Sequence, residues 1–104
     1  MATPPVFQAD KLQSSSEVLR ALAHPLRLDL VQFIRTAGWV SVQTIYQSLG
    51  IEQSLTSQHL RILRRAGLVI TERDGKHVNY HVVEERYDQV ADAVNRFAGI
   101  EEYA

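Results

Sequence analysis

A chain of 104 residues can build one domain with a modest core, and its 45% hydrophobic and 22% charged content is ordinary for a globular protein. No apolar run approaches the roughly 20 residues that span a bilayer, and the N-terminus lacks the charged-then-apolar order of a secretory signal. The absence of cysteine removes disulfides, thiolate metal sites and thiol redox switches, so a cytoplasmic setting with no membrane partner is expected.

Residues 1–9, with Pro4 and Pro5, read as a flexible arm. A single domain is expected over 10–99, followed by a C-terminal tail at 100–104. A first helix should start at Asp10 or Ser14, because Asp10 precedes Gln13 and Ser14 precedes Glu17 at capping-box spacing. Leu12, Leu19, Leu22 and Ala23 would share its apolar face. His24 reads as a cap or packing residue, and Pro25 suits the first turn of a second helix, where its missing N–H costs nothing. Leu26, Leu30, Phe33 and Ile34 form that helix's stripe, and Gly38 follows it as a C-terminal cap.

Trp39, Val40 and Ser41 allow only a short strand. Ser41 can cap a third helix that points Val42, Ile45, Tyr46 and Leu49 inward and closes at Gly50. A fourth helix follows over 53–66 after a three-residue bend containing that glycine, which is the helix-turn-helix pattern. On its wheel Leu55, His59, Ile62, Leu63 and Ala66 face inward. Ser54, Ser57, Gln58, Arg61, Arg64 and Arg65 face outward, with no acid among them. Hydroxyls and amides at the leading end can reach base edges, and arginines can bind phosphate or guanine.

After Gly67 the hydrophobic period changes from helical to alternating. Leu68–Arg73 and Lys76–Val83 read as strands about an Asp74-Gly75 turn, with Glu72 opposite His77, Thr71 opposite Val78 and Val69 opposite Tyr80. Val69, Thr71, Val78 and Tyr80 share one face, and Arg73 and Lys76 occupy the tip. A last helix is expected from Glu84 to Gly99. The fold class is therefore mainly α with a small β-hairpin, a winged helix-turn-helix in the order α-α-α-α-β-β-α with a short extra strand before the third helix.

The net charge of −1 is divided unevenly along the chain. Residues 54–82 carry five basic and two acidic side chains, for +3, whereas residues 83–104 carry two basic and six acidic ones, for −4. Residues 1–53 balance at four each. Local field governs attraction to a polyanion, so the basic segment that starts in the fourth helix points to nucleic acid.

The runs L-R-A-L-A-H-P-L-R-L-D-L-V (19–31), S-L-T-S-Q-H-L-R-I-L-R-R-A-G-L-V (54–69) and E-R-D-G-K-H-V-N-Y (72–80) carry a family resemblance. Over residues 14–98 the chain resembles the ArsR/SmtB family of bacterial winged-helix repressors. That resemblance implies a homodimer whose two reading helices enter successive major grooves of a palindromic operator and leave when an effector binds. It also implies places for metals, which this chain does not fill. Ser41, Val42 and Gln43 stand where a Cys-Val-Cys motif would bind soft ions, and hydroxyl or amide oxygens do not replace thiolates. The family's site on the last helix needs D-x-H, but Asp88 is followed by Gln89 and Val90, and no histidine follows His81. No metal and no cofactor are assigned, and whether an unidentified small-molecule effector exists is left open. A hard ion held by His24, His77, His81 or the C-terminal carboxylates stays open as an alternative.

The expected DNA contacts are Gln53, Ser54, Thr56, Ser57 and Gln58 near base edges, Arg61, Arg64 and Arg65 on phosphates, and Arg73, Lys76 and His77 in the wing. His77 and His81 lie roughly 13 Å apart along a strand, too far to hold one ion together, so both are placed on the wing's solvent face or on phosphate. His59 reads as a neutral, hydrogen-bonded core histidine with scope for modest pH sensing. Trp39 and Tyr46 should fill the core or the seam beneath the wing. Leu12, Leu19, Tyr87, Val90, Val94 and Phe97 are assigned to the dimer interface, with packing inside one protomer as the competing reading. No nucleophile, acid–base pair or phosphate loop occurs, which excludes an evident enzyme. The rival function is a winged-helix module that docks a protein through the same helix and hairpin, without DNA binding.

Overall fold

The computed structural model describes the backbone of residues 9–93 and the side chains of residues 16–93. Two helices, α1 (Ala9–Leu22) and α2 (Pro25–Ala37), precede a two-residue strand β1 (Val40–Ser41). The pair α3 (Val42–Leu49) and α4 (Gln53–Arg65) then leads into the hairpin β2 (Val69–Asp74) and β3 (His77–Val82), and α5 (Glu84–Gln89) follows. The three strands form one antiparallel sheet in the order β1-β3-β2. Val40 pairs with Tyr80, so the short strand ties the helical body to the base of the hairpin.

Local chemistry sets the helix ends. The backbone N–H of Leu26 donates to His24 Nδ1 at 3.1 Å, capping α2 just before the proline at its start. Gly38 closes α2 with a positive φ of 86°, and its N–H donates to Ile34 O. The Thr44 N–H donates to Ser41 Oγ at 3.2 Å at the head of α3, and Gly50 ends that helix in the left-handed region at φ 67°.

The core joins Val18, Ala21 and Leu22 of α1, Leu30, Val31 and Ile34 of α2, Ile45 of α3, and Leu60 and Leu63 of α4. Leu68, Val69 and Val82 extend it under the hairpin, and Tyr87 and Val90 close it from the last segment. Full burial of each Leu or Ile contributes roughly 1.5–3 kcal/mol. On α1 the inward face is Val18–Ala21–Leu22. Leu19, expected inside, is 39% exposed, Ala23 is also exposed, and the Leu12 side chain lies outside the described residues.

α4 is turned by about one residue from the expected wheel. Thr56, Leu60 and Leu63 point inward, while Leu55 and Ile62 are 38% and 39% exposed. Thr56 is fully buried because its hydroxyl donates to Glu52 O at 2.9 Å, one turn back, so its methyl can face the core without an unsatisfied polar atom.

The hairpin register also differs. Asp74 pairs with His77, Glu72 with Asn79, Thr71 with Tyr80 and Val69 with Val82, so the two turn residues are Gly75 and Lys76. Gly75 has φ 62° and Lys76 has no positive φ, the pattern of a II′-like turn with glycine at its first central position. The slip is even, so Val69, Thr71, Val78 and Tyr80 keep one face together as expected.

The last helix starts at Glu84 as expected but is interrupted at Val90. α5 ends at Gln89, a turn follows at Val90, and residues 91–93 are helical again. Arg35 of α2 ties α5 down: it pairs with Glu84 at 3.1 Å and lies 3.9 Å over the Tyr87 ring. The Tyr87 hydroxyl accepts from Gln32 Nε2 at 2.8 Å. Tyr87 and Val90 are thus buried within the protomer, which corrects their assignment to a seam between two copies. Val94 and Phe97 lie outside the described residues.

Candidate nucleic-acid interface

α4 presents Gln53, Ser54, Gln58, Arg61, Arg64 and Arg65 to solvent, with Ser57 half-buried beside them. Helix chemistry orders this face. Arg64 and Arg65 occupy the last turn, where cations complement the C-terminal end of the dipole. No acid stands in the first turn, so the exposed N–H groups there are free to meet an anion. Glu52, the residue before the helix, makes no capping bond; it accepts from Ser54 Oγ at 2.7 Å instead. Ser54 therefore offers its oxygen as an acceptor while its hydroxyl proton is engaged.

Thr56 leaves the expected base-reading group. Its side chain is sealed in the core and its hydroxyl is bound to Glu52 O. The helix turn that buries Thr56 brings out Leu55, between Ser54 and Thr56 on the leading turn. An exposed leucine there is an apolar group of the kind that can pack on a thymine methyl. The wheel missed it because Leu55, Leu60, Ile62 and Leu63 together cover more than one face.

In the wing, Arg73, Lys76 and His77 are all exposed around the turn. Glu72 and Asp74 are exposed beside them, so the hairpin's two cations are matched by two carboxylates. The positive field of the site comes from α4. His81, expected on the solvent face, is held at the hairpin base. Its Nδ1 donates to Gly38 O at 2.7 Å, which fixes the Nδ1–H tautomer, and its ring stacks on Trp39 with centroids 4.6 Å apart. Trp39 remains 45% exposed, so it lines the seam under the wing rather than the core.

His59 sits on the flank of α4, half-buried, with its ring centroid 4.7 Å from that of His24. Its Nδ1 is buried without a partner, contrary to the hydrogen-bonded core histidine expected. Burial, then the neighbouring His24 and Arg27, hold its pKa below the ordinary 6.5. Among the described residues no three His, Cys, Asp or Glu side chains come together as a metal ion would need, and no helix is long and apolar enough to cross a membrane.

A helix-turn-helix pair with a basic outer face, followed by a tethered antiparallel hairpin, defines a winged-helix protein of the nucleic-acid-binding class. A helix-turn-helix domain family matches residues 22–72. The HTH-type transcriptional repressor SmtB of Mycobacterium tuberculosis is 40% identical over 73 residues, 70% of this chain and 53% of that protein. The chain thus spans about half the length of this curated relative. The biofilm growth-associated repressor of Xylella fastidiosa is 35% identical over 94 residues, 88% of this chain and 82% of its own length. Among solved structures, a homodimeric winged helix-turn-helix DNA-binding domain from Mycobacterium bovis shares the fold with a TM-score of 0.74 at 24% identity, covering 94% of each chain. The chain belongs to the ArsR/SmtB family of transcriptional regulators.

Proposed function

We propose that this protein is a homodimeric, cytoplasmic transcriptional repressor that places α4 in the major groove of a palindromic operator and lays the hairpin alongside as a wing. One observation carries the reading: from Gln53 to Arg65 the exposed face of α4 bears three arginines and no carboxylate. Gln53, Ser54, Ser57 and Gln58 read base edges. Arg61, Arg64 and Arg65 neutralise phosphates, and Arg73, Lys76 and His77 meet the backbone or minor groove beside the hairpin.

Dimerisation follows from the size of one module. A single reading helix makes too few contacts for specific affinities of order 10⁻⁸ M, and two of them about 34 Å apart match successive turns of a duplex. Leu19, exposed on α1, belongs to the dimer seam in this reading, together with Leu12, Val94 and Phe97. The homodimeric winged-helix neighbour supports dimerisation as such. An effector that is not a thiolate-bound metal releases the operator.

The test is selection of preferred duplexes from a random pool, followed by electrophoretic titration of the selected and a scrambled sequence at several salt concentrations. A preference for a two-fold symmetric site, with affinity falling steeply as salt rises, is expected. Equal, salt-insensitive retention of both duplexes would remove the reading.

A further inference from the structure

A hollow of about 320 Å³ lies between α1, α2 and the end of α4, away from the base-reading turn. Four charged side chains line it: Arg20 and Glu17 from α1, Arg27 from α2 and Arg65 from α4. Three cations against one carboxylate leave it with a net +2, and none of the three arginines is ion-paired among the described residues. The Arg27 Nε is buried with no acceptor, so the protein leaves that one N–H unsatisfied. Arg27 also stands in the first turn of α2, where the helix end adds positive potential. Like charges gathered from three separate helices repel one another, and a bound anion would relieve that repulsion.

The rest of the lining is apolar: Ala21, Ile62 and Ala66. Ile62 keeps 39% of its surface exposed. A bare inorganic anion would use only the guanidinium groups, whereas a carboxylate on a compact apolar body uses both kinds of wall. The planar forks of arginine match a carboxylate in two-point contact. The volume sits at the small end of ligand pockets, which run from about 300 to 1,000 Å³, so a nucleotide is too large.

We infer that this hollow is a binding site for a small organic monocarboxylate with a compact apolar body. Arg20, Arg27 and Arg65 bind the carboxylate, and Ala21, Ile62 and Ala66 receive the body. Such a ligand draws Arg65 towards α1 and α2 and away from DNA phosphate, so it loosens the operator complex. That last consequence rests on the role proposed above for Arg65, and the ligand site itself does not.

Benzoate is the probe, titrated at constant ionic strength into the isotope-labelled full chain, with benzyl alcohol and inorganic phosphate as companions. Saturable shifts of the side-chain Nε signals of Arg20, Arg27 and Arg65 and of the Ala21 and Ile62 amides are expected. Half-saturation should fall at about 1 mM, typical of so small a ligand. Benzyl alcohol and phosphate should each bind at least about tenfold more weakly, since each lacks one half of the match. Arg20→Ala, at an exposed position outside the DNA-contact group, should weaken benzoate about tenfold while leaving duplex binding unchanged. Shifts that stay linear to about 10 mM, or benzyl alcohol binding as well as benzoate, would overturn the site. Phosphate binding as tightly as benzoate, with Arg20→Ala weakening duplex binding, would assign the hollow to the DNA backbone and overturn it too. Saturable benzoate binding with no effect on the duplex complex supports the site and removes only Arg65 from the proposed DNA contacts.

Discussion

His24 and His59 lie with ring centroids 4.7 Å apart, tilted by 53°, across the junction between α2 and the flank of α4. His24 is committed to its cap through Nδ1, which accepts from Leu26 N. His59 must therefore accommodate a second imidazole and the nearby Arg27 while partly withdrawn from water. All three influences favour its neutral form.

Stability should accordingly depend on pH in one direction. The folded-state pKa of His59 lies below the unfolded value of 6.5, so the unfolded chain binds the proton more readily. Above 6.5 both states are neutral and stability is complete with respect to this group. As pH falls below 6.5 stability declines, and the decline levels off once the folded pKa is passed. Denaturant midpoints from about pH 7.5 to about pH 5.5 should drop less in His59→Gln than in the parent chain. Identical slopes in the two proteins would show that His59 does not titrate differently on folding.

Thr56 and Gln58 are two positions apart and should behave oppositely. Thr56→Val removes a hydroxyl whose acceptor, Glu52 O, still receives the Thr56 backbone N–H at 3.0 Å. A loss of about 0.5–1.5 kcal/mol in unfolding free energy is expected, with operator choice unchanged. Gln58→Ala should leave stability within about 0.5 kcal/mol and relax base preference in a duplex selection. A changed base preference in Thr56→Val would show that the buried threonine is reached by DNA.

Arg64 is exposed in the final turn of α4 and is assigned to phosphate. Arg64→Ala should weaken selected and scrambled duplexes to a similar degree and reduce the slope of log affinity against log salt by about one unit. Titrations at several salt concentrations report this directly, and a loss confined to the selected duplex would move Arg64 to a base edge.

The hairpin turn gives a separate test. Gly75 has φ 62°, and alanine there is expected to cost about 1–2 kcal/mol and to speed amide exchange at Asp74 and His77. Lys76→Ala should change stability by less than about 0.5 kcal/mol, because Lys76 has no positive φ. Equal costs at the two positions would contradict the observed register.

What could be read from the sequence was mostly local. Pro25, Gly38, Ser41 and Gly50 mark helix ends because a cap depends on its immediate neighbours, and the structure has all four in those roles. The face of α4 was harder. Its apolar residues cover too wide an arc for periodicity to choose between Leu55 and Leu60, and only packing against α1, α2 and α3 decides. Asp74-Gly75 and Gly75-Lys76 are both acceptable turns, so the register shifted while the faces survived. The basic hollow left no trace, since Arg20, Arg27 and Arg65 come from three helices and converge only in the folded chain.

The balance of charge between Arg73 and Lys76 and the neighbouring Glu72 and Asp74 on the hairpin implies an order of events in the proposed DNA complex. A flap that is neutral over its length exerts almost no pull at a distance, whereas the arginine face of α4 acts across the solvent gap and guides the encounter. In the proposed complex the helix would govern how fast association occurs, and the flap, engaging only at close range, would govern how long it lasts.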